Sequence, residues 1–164
     1  MLDGFRQDDP RKMPRHLFSG AMHLDYTTAI RADVSKQNCS ICPRHWYINA
    51  AFHCTRCGET FVFTNHEQKL WYEDLGFWID SLTKHCSKCR RVLRELTALQ
   101  QEYDRDVAAV LSRNASLERK QRLLEVVDSL DGSGVKLPDK VCENRRILAK
   151  QVERIRHPGG SETP

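Results

Sequence analysis

Six of the seven cysteines in this 164-residue chain fall in three Cys-x-x-Cys pairs: Cys39/Cys42, Cys54/Cys57 and Cys86/Cys89. Two intervening residues put both sulfurs on one tight turn, close enough to grip one metal ion together. Two such turns complete the four-sulfur tetrahedron that structural zinc prefers. Four thiolates leave no open position for water, so the chemistry expected of such a centre is cross-linking rather than Lewis-acid catalysis. A disulfide framework is the competing use of paired cysteines, but it leaves Cys142 without a partner. The opening Met1-Leu2-Asp3-Gly4-Phe5-Arg6 has no apolar leader segment, and no apolar run approaches the roughly 18 residues of a membrane span. A cytoplasmic, reducing setting is expected, where paired thiols mean metal more often than disulfide.

Spacing favours Cys54, Cys57, Cys86 and Cys89 as ligands of one zinc ion. It leaves a rival set, since Cys39/Cys42 and Cys54/Cys57 are eleven residues apart. A second zinc site is the other use of Cys39 and Cys42, completed by His45 and a further histidine such as His53, His23 or His16. A helix beginning at Cys86 would aim amides and partial positive charge at its sulfurs. Zinc expelled by thiol oxidation would instead make a redox switch.

The elements that must hold these knuckles are legible around them. Nine of the thirteen aromatic residues lie between Trp46 and Trp78, the composition of a small domain that needs large side chains and a metal to be stable. Phe61-Val62-Phe63-Thr64 reads as a strand with both phenylalanines on one face. Thr64 and Glu67 fit a capping box, with Leu70, Trp71 and Leu75 expected inward on the following helix and Gly76 as its left-handed stop. After Cys89, Val92, Leu96, Leu99, Tyr103, Val107 and Val110 recur at helical spacing. A second helix is expected over 117–130 with Lys120, Leu124 and Val127 on its stripe. A third, capped by Asp139 and carrying Val141, Leu148, Val152 and Ile155, should end at Pro158-Gly159-Gly160.

The segment from Tyr47 to Arg91 resembles a family usually described as a probable zinc-ribbon domain, found mainly in bacterial proteins. The resemblance is carried by Cys54-x-x-Cys57-Gly58, Phe61-Val62-Phe63-Thr64, Glu67-Gln68, Trp71-Tyr72 and Cys86-x-x-Cys89-Arg90. It implies that Cys54/Cys57 pair with Cys86/Cys89 around the zinc, and it implies no activity. The fold class expected is α+β: a small treble-clef-like zinc ribbon with a strand or hairpin and a short helix, then a helical C-terminal segment. The divisions read from composition are a partly disordered N-terminal arm (1–37), the zinc ribbon (38–92), about three helices (93–157) and a mobile tail (158–164).

Net charge is +4, and its distribution is uneven: residues 84–157 carry seventeen Lys/Arg against eleven Asp/Glu. Lys88, Arg90, Arg91 and Arg94 cluster at the second knuckle, where they could contact nucleic-acid phosphates, with Trp46 or Tyr72 stacking on bases. They could equally balance the charge of a zinc–thiolate centre. No phosphate-binding glycine loop, His-Glu-x-x-His helix or nucleophile elbow is present, so no enzymatic activity is expected. The expected role is a non-enzymatic interaction or adaptor module whose zinc supports a basic helix surface. Its partner would be another protein or a second copy meeting the helices; nucleic acid is the alternative, and no membrane is expected.

Overall fold

Trp46–His53 is the strand on which the first part of the chain is built. Ile48, Ala50 and Phe52 are buried on one face of it and Tyr47 on the other, with Asn49 and Ala51 half-buried between them. The computed structural model describes residues 9–39 and 42–157 and divides into two units, Met1–Arg90 and Arg91–Pro164.

In the first unit, β1 (His23–Arg31), β2 (Trp46–His53) and β3 (Thr60–Phe63) form an antiparallel sheet in the order β1-β2-β3. Ala50 stands opposite Phe63 and His53 opposite Thr60, so the β2–β3 hairpin carries Cys54 and Cys57 in its connection. β1 pairs from His23 opposite Ala51 to Arg31 opposite Trp46, interrupted by a bulge between Asp25 and Ile30. Side chains repair the lost ladder bonds there. Asp25 accepts from Thr27, Thr28 accepts from the Asn49 amide at 3.0 Å, and Asn65 donates to the Thr28 carbonyl at 2.6 Å. Segment 1–37 therefore differs from a simple arm: it supplies β1, and Leu17 and Phe18 are buried in the core beside Tyr47, Phe63 and Tyr72. Alternation in β1 is blurred by the bulge, which hid the strand. Residues 1–8 lie outside the described residues.

Helix α1 (Asn65–Lys69) opens as expected, with the Thr64 hydroxyl accepting from the Glu67 amide at 3.2 Å. It then widens into one π-helical turn, Leu70–Asp74, closed by Leu75 N–H donating to the Leu70 carbonyl. A five-residue bond rotates the face that a 3.6 period would bury. Gln68 is already buried in α1; past the π turn Tyr72 points inward, while Leu70 and Leu75, expected inward, are 47% and 53% exposed. Gly76 does stop the element, at φ +64°.

Among the described residues of this unit, the most deeply buried cation is Arg44. It donates from Nε to the Ile79 carbonyl at 3.2 Å and from Nη2 to the Leu17 carbonyl, with its guanidinium over the rings of Phe18 and Tyr72 at 4.7 and 5.1 Å. Burial lowers its pKa, yet the planar group is held by two carbonyls and two π faces.

The second unit comprises the body of α2 (Ser87–Val110) with α3 (Leu117–Gly132) and α4 (Asp139–Arg156). Tyr103, Val110, Leu123, Val126, Val127, Leu130, Val141 and Leu148 form its core. Asn144 donates to the Tyr103 hydroxyl at 2.8 Å inside it. Ser116 caps α3 through the Arg119 amide. Pro138, not Asp139, occupies the cap position of α4, because proline's fixed φ suits helix entry and leaves Asp139 in the first turn. Ile155, expected in the stripe, is 45% exposed. Pro158–Gly160 and the tail expected over 158–164 lie outside the described residues.

Candidate metal centre

The first knuckle is a turn that glycine permits. Gly58 adopts φ +75° and donates to the Cys54 carbonyl at 2.8 Å, while the Cys54 amide donates to the Glu59 carbonyl at 2.9 Å. A left-handed residue there costs a residue with Cβ about 1 kcal/mol or more. The Thr55 amide then donates to the Lys84 carbonyl at 2.9 Å, and the Thr55 hydroxyl meets His85 Nδ1 at 3.1 Å. These bonds draw the residues before Cys86 against the first turn. Cys86 and Cys89 open α2, with the Cys89 amide directed at Cys86 Sγ (3.5 Å) and the Arg90 amide donating to the Cys86 carbonyl.

The result is a cluster of Cys54, Cys57, Cys86 and Cys89 whose sulfurs all lie within 4.8 Å of one another. Cys57 and Cys86 sulfurs are 3.9 Å apart, far beyond a disulfide bond of about 2.05 Å. Zinc–sulfur bonds of about 2.3 Å in a tetrahedron require sulfur edges of about 3.8 Å, so the residues fit the ion. Cys54 and Cys86 are buried, Cys89 is half-buried and Cys57 faces solvent. Without metal the thiols diverge. Burial works against the Cys54 thiolate, but amides of Cys57, Cys86 and Arg56 outweigh it and bring the pKa down to about 5. Burial, together with the neighbouring thiols, pushes Cys89 up to about 12. A divalent cation resolves that conflict by stabilising all four as thiolates. Bound there, zinc supplies a closed cross-link between the β2–β3 hairpin and the start of α2.

Among the described residues, these four cysteines make the one group of three or more metal-type ligands. Cys39, Cys42 and His45 do not assemble into a second one. Cys39 packs against the sheet core. The Cys42 thiol is pushed up by burial and then by Asp80 and Cys39. His45 leads into β2, its carbonyl taken by the Ala32 amide at 3.0 Å and its imidazole pKa lowered by burial and by Arg31.

The basic residues of the second knuckle divide. Lys88, Arg91 and Arg94 are exposed. Arg90 is spent: its Nη2 reaches Glu67 Oε1 at 2.5 Å and its guanidinium lies 5.5 Å from the Trp71 ring centre. Glu67 thus ties α1 to the knuckle. Of the expected stacking aromatics, Tyr72 is fully buried and Trp46 is half-buried with Arg31 over its ring at 4.9 Å; Tyr26, Phe77 and Trp78 are the exposed ones among the described residues. Arg56, exposed within the first knuckle, adds a cation that spacing alone did not single out.

Residues 50–96 match the family model described as a probable treble clef domain. The matched span contains the hairpin, α1 and the start of α2, with all four clustered cysteines. These residues form a zinc-binding treble clef domain, positioned to bind one zinc ion. Neither the curated proteins nor the solved structures gave a match. Among the described residues, no helix is long and apolar enough to cross a membrane.

Proposed function

We propose that this protein is a non-enzymatic adaptor of the cytoplasm, in which a structural zinc fixes a surface for an acidic partner protein. The observation that carries the reading is the cationic rim of the closed centre. Arg56 and Lys88 lie within the two knuckles and Lys84 two residues before Cys86, all exposed and none in an ion pair among the described residues. A four-thiolate shell carries a net charge of −2 once zinc is bound, and with Glu67 already met by Arg90 the three spare cations exceed that charge. The metal acts by holding the Thr55–Lys84 contact, and so the rim, in one geometry.

The test is binding of the zinc-loaded protein to a polyglutamate peptide at two salt concentrations, before and after chelation. Binding that weakens with salt and disappears with the metal supports the reading. Affinity unchanged by complete metal removal contradicts it. A nucleic-acid partner is the second reading, favoured by the exposure of Lys88, Arg91 and Arg94. It requires tighter binding to random single-stranded or duplex oligonucleotides than to polyglutamate, with a steep salt slope.

A further inference from the structure

A cavity of about 240 Å³ in the helical unit is lined by Arg113, Lys120, Gln151, Arg154 and Ile155. Three of these five residues are cationic and none is acidic. Lys120 forms its floor and is 1% exposed. Its ammonium donates to the Val110 carbonyl at 3.0 Å, the Ser112 carbonyl at 2.6 Å and Gln151 Oε1 at 2.7 Å. Gln151 is braced in turn by its own amide, which donates to the Leu111 carbonyl at 3.3 Å. The floor is therefore a fixed positive charge whose three protons face neutral oxygens, with no carboxylate to balance it.

Arg113 and Arg154 flank that floor. Both are exposed, and among the described residues neither makes a hydrogen bond or an ion pair. The other charged surface pairs of this unit are engaged: Arg122 with Glu102 and Arg145 with Asp128. Two free guanidinium groups beside an unneutralised ammonium repel one another, and an anion between them converts that repulsion into attraction. Arginine forks match the oxygens of phosphate in pairs, which a single carboxylate cannot satisfy on both sides. The volume is below the roughly 300–1,000 Å³ of sites that enclose drug-sized ligands, so it suits a head group rather than a whole large molecule. Ile155 gives the rim one apolar wall, fitted to the organic substituent of an ester.

We propose that this cavity binds the phosphate group of a phosphate ester, with Arg113 and Arg154 as its hydrogen-bonding clamps and Lys120 as a fixed field beneath. The site is independent of the zinc centre and of the adaptor reading. The experiment is an NMR titration of the zinc-loaded full chain, following arginine side-chain and backbone signals. Inorganic phosphate, phenyl phosphate and acetate are compared at matched ionic strength. Saturable shifts at Arg113 and Arg154 are expected with both phosphates, stronger with phenyl phosphate, and weak or absent with acetate. Arg113→Ala and Arg154→Ala should each weaken phosphate binding about tenfold or more, the loss of a charge-assisted hydrogen bond. Lys136→Ala and Arg146→Ala, exposed cations that do not line the cavity, should leave it unchanged. All four side chains are exposed, so unaltered thermal unfolding is the check that each variant is folded. The proposal is overturned if no phosphate saturates, if the double Arg113→Ala/Arg154→Ala variant binds like the parent, or if all four single variants lose affinity equally.

Discussion

Lys120→Met removes the one buried ammonium of the helical unit while keeping a side chain of similar length and width. The Val110 carbonyl and Gln151 Oε1 then lose the ammonium as donor, and the Ser112 carbonyl keeps only the long 3.4 Å bond from the Ala115 amide. Val110 ends α2, whose last carbonyls have no intrahelical partners, and Ser112 lies in the turn just beyond it, so Lys120 acts as a cap supplied by α3. Hydrogen bonds to a charged donor contribute about 1.5–3 kcal/mol each, and an orphaned buried acceptor costs about 1–3 kcal/mol. Releasing the ammonium from burial offsets part of this, by several kcal/mol at most. The expected loss is about 3 kcal/mol, read as a shift in the denaturant midpoint followed by circular dichroism. A second arm uses pH. Burial lowers the Lys120 pKa below its ordinary 10.5, so in the alkaline window beneath that value the unfolded chain holds the proton that the native chain has released. Stability of the parent therefore rises with pH there relative to the methionine variant, and the gap between them widens. A loss under about 0.5 kcal/mol, the size of an ordinary surface substitution, would refute the reasoning.

Three other expectations concern the zinc-binding unit. Arg44→Met should destabilise it by about 2–4 kcal/mol in thermal or denaturant unfolding, because the Ile79 and Leu17 carbonyls lose a charged donor and two aromatic faces lose their cation. A double-mutant cycle of Glu67→Gln with Arg90→Gln should return a coupling of about 1 kcal/mol, since each side chain is only about a quarter exposed; additive effects would show that the pair does not brace α1. Gly76→Ala should cost about 1 kcal/mol in the same assay because φ +64° admits a Cβ only with strain; a neutral result would mean that the turn relaxes.

The metal ligands were legible because their signal is local: two sulfurs per turn declare a site whatever surrounds them. The Thr64 cap and Gly76 stop were legible for the same reason. What the sequence concealed depended on geometry that repeats no period. A bulge repaired by Asp25, Thr27 and Thr28 scrambled the alternation of β1, and one π turn left Leu70 and Leu75 at the surface with Tyr72 inside. Lys120 stood on the apolar stripe of its helix, but no neighbouring residue signalled which carbonyls would receive its ammonium, and nothing beside Arg44 marked it for burial. Arg90 was visible as part of a basic cluster, but its capture by Glu67 across more than twenty positions was not.

The most direct test of the central claim is zinc content per chain, measured by elemental analysis on purified protein and two variants. One zinc is expected in the parent and in Cys39→Ser/Cys42→Ser, and none in Cys57→Ser/Cys86→Ser, which removes one ligand from each knuckle. Two zinc ions in the parent, loss of metal from the Cys39/Cys42 variant, or a full equivalent retained by the Cys57/Cys86 variant would contradict the account.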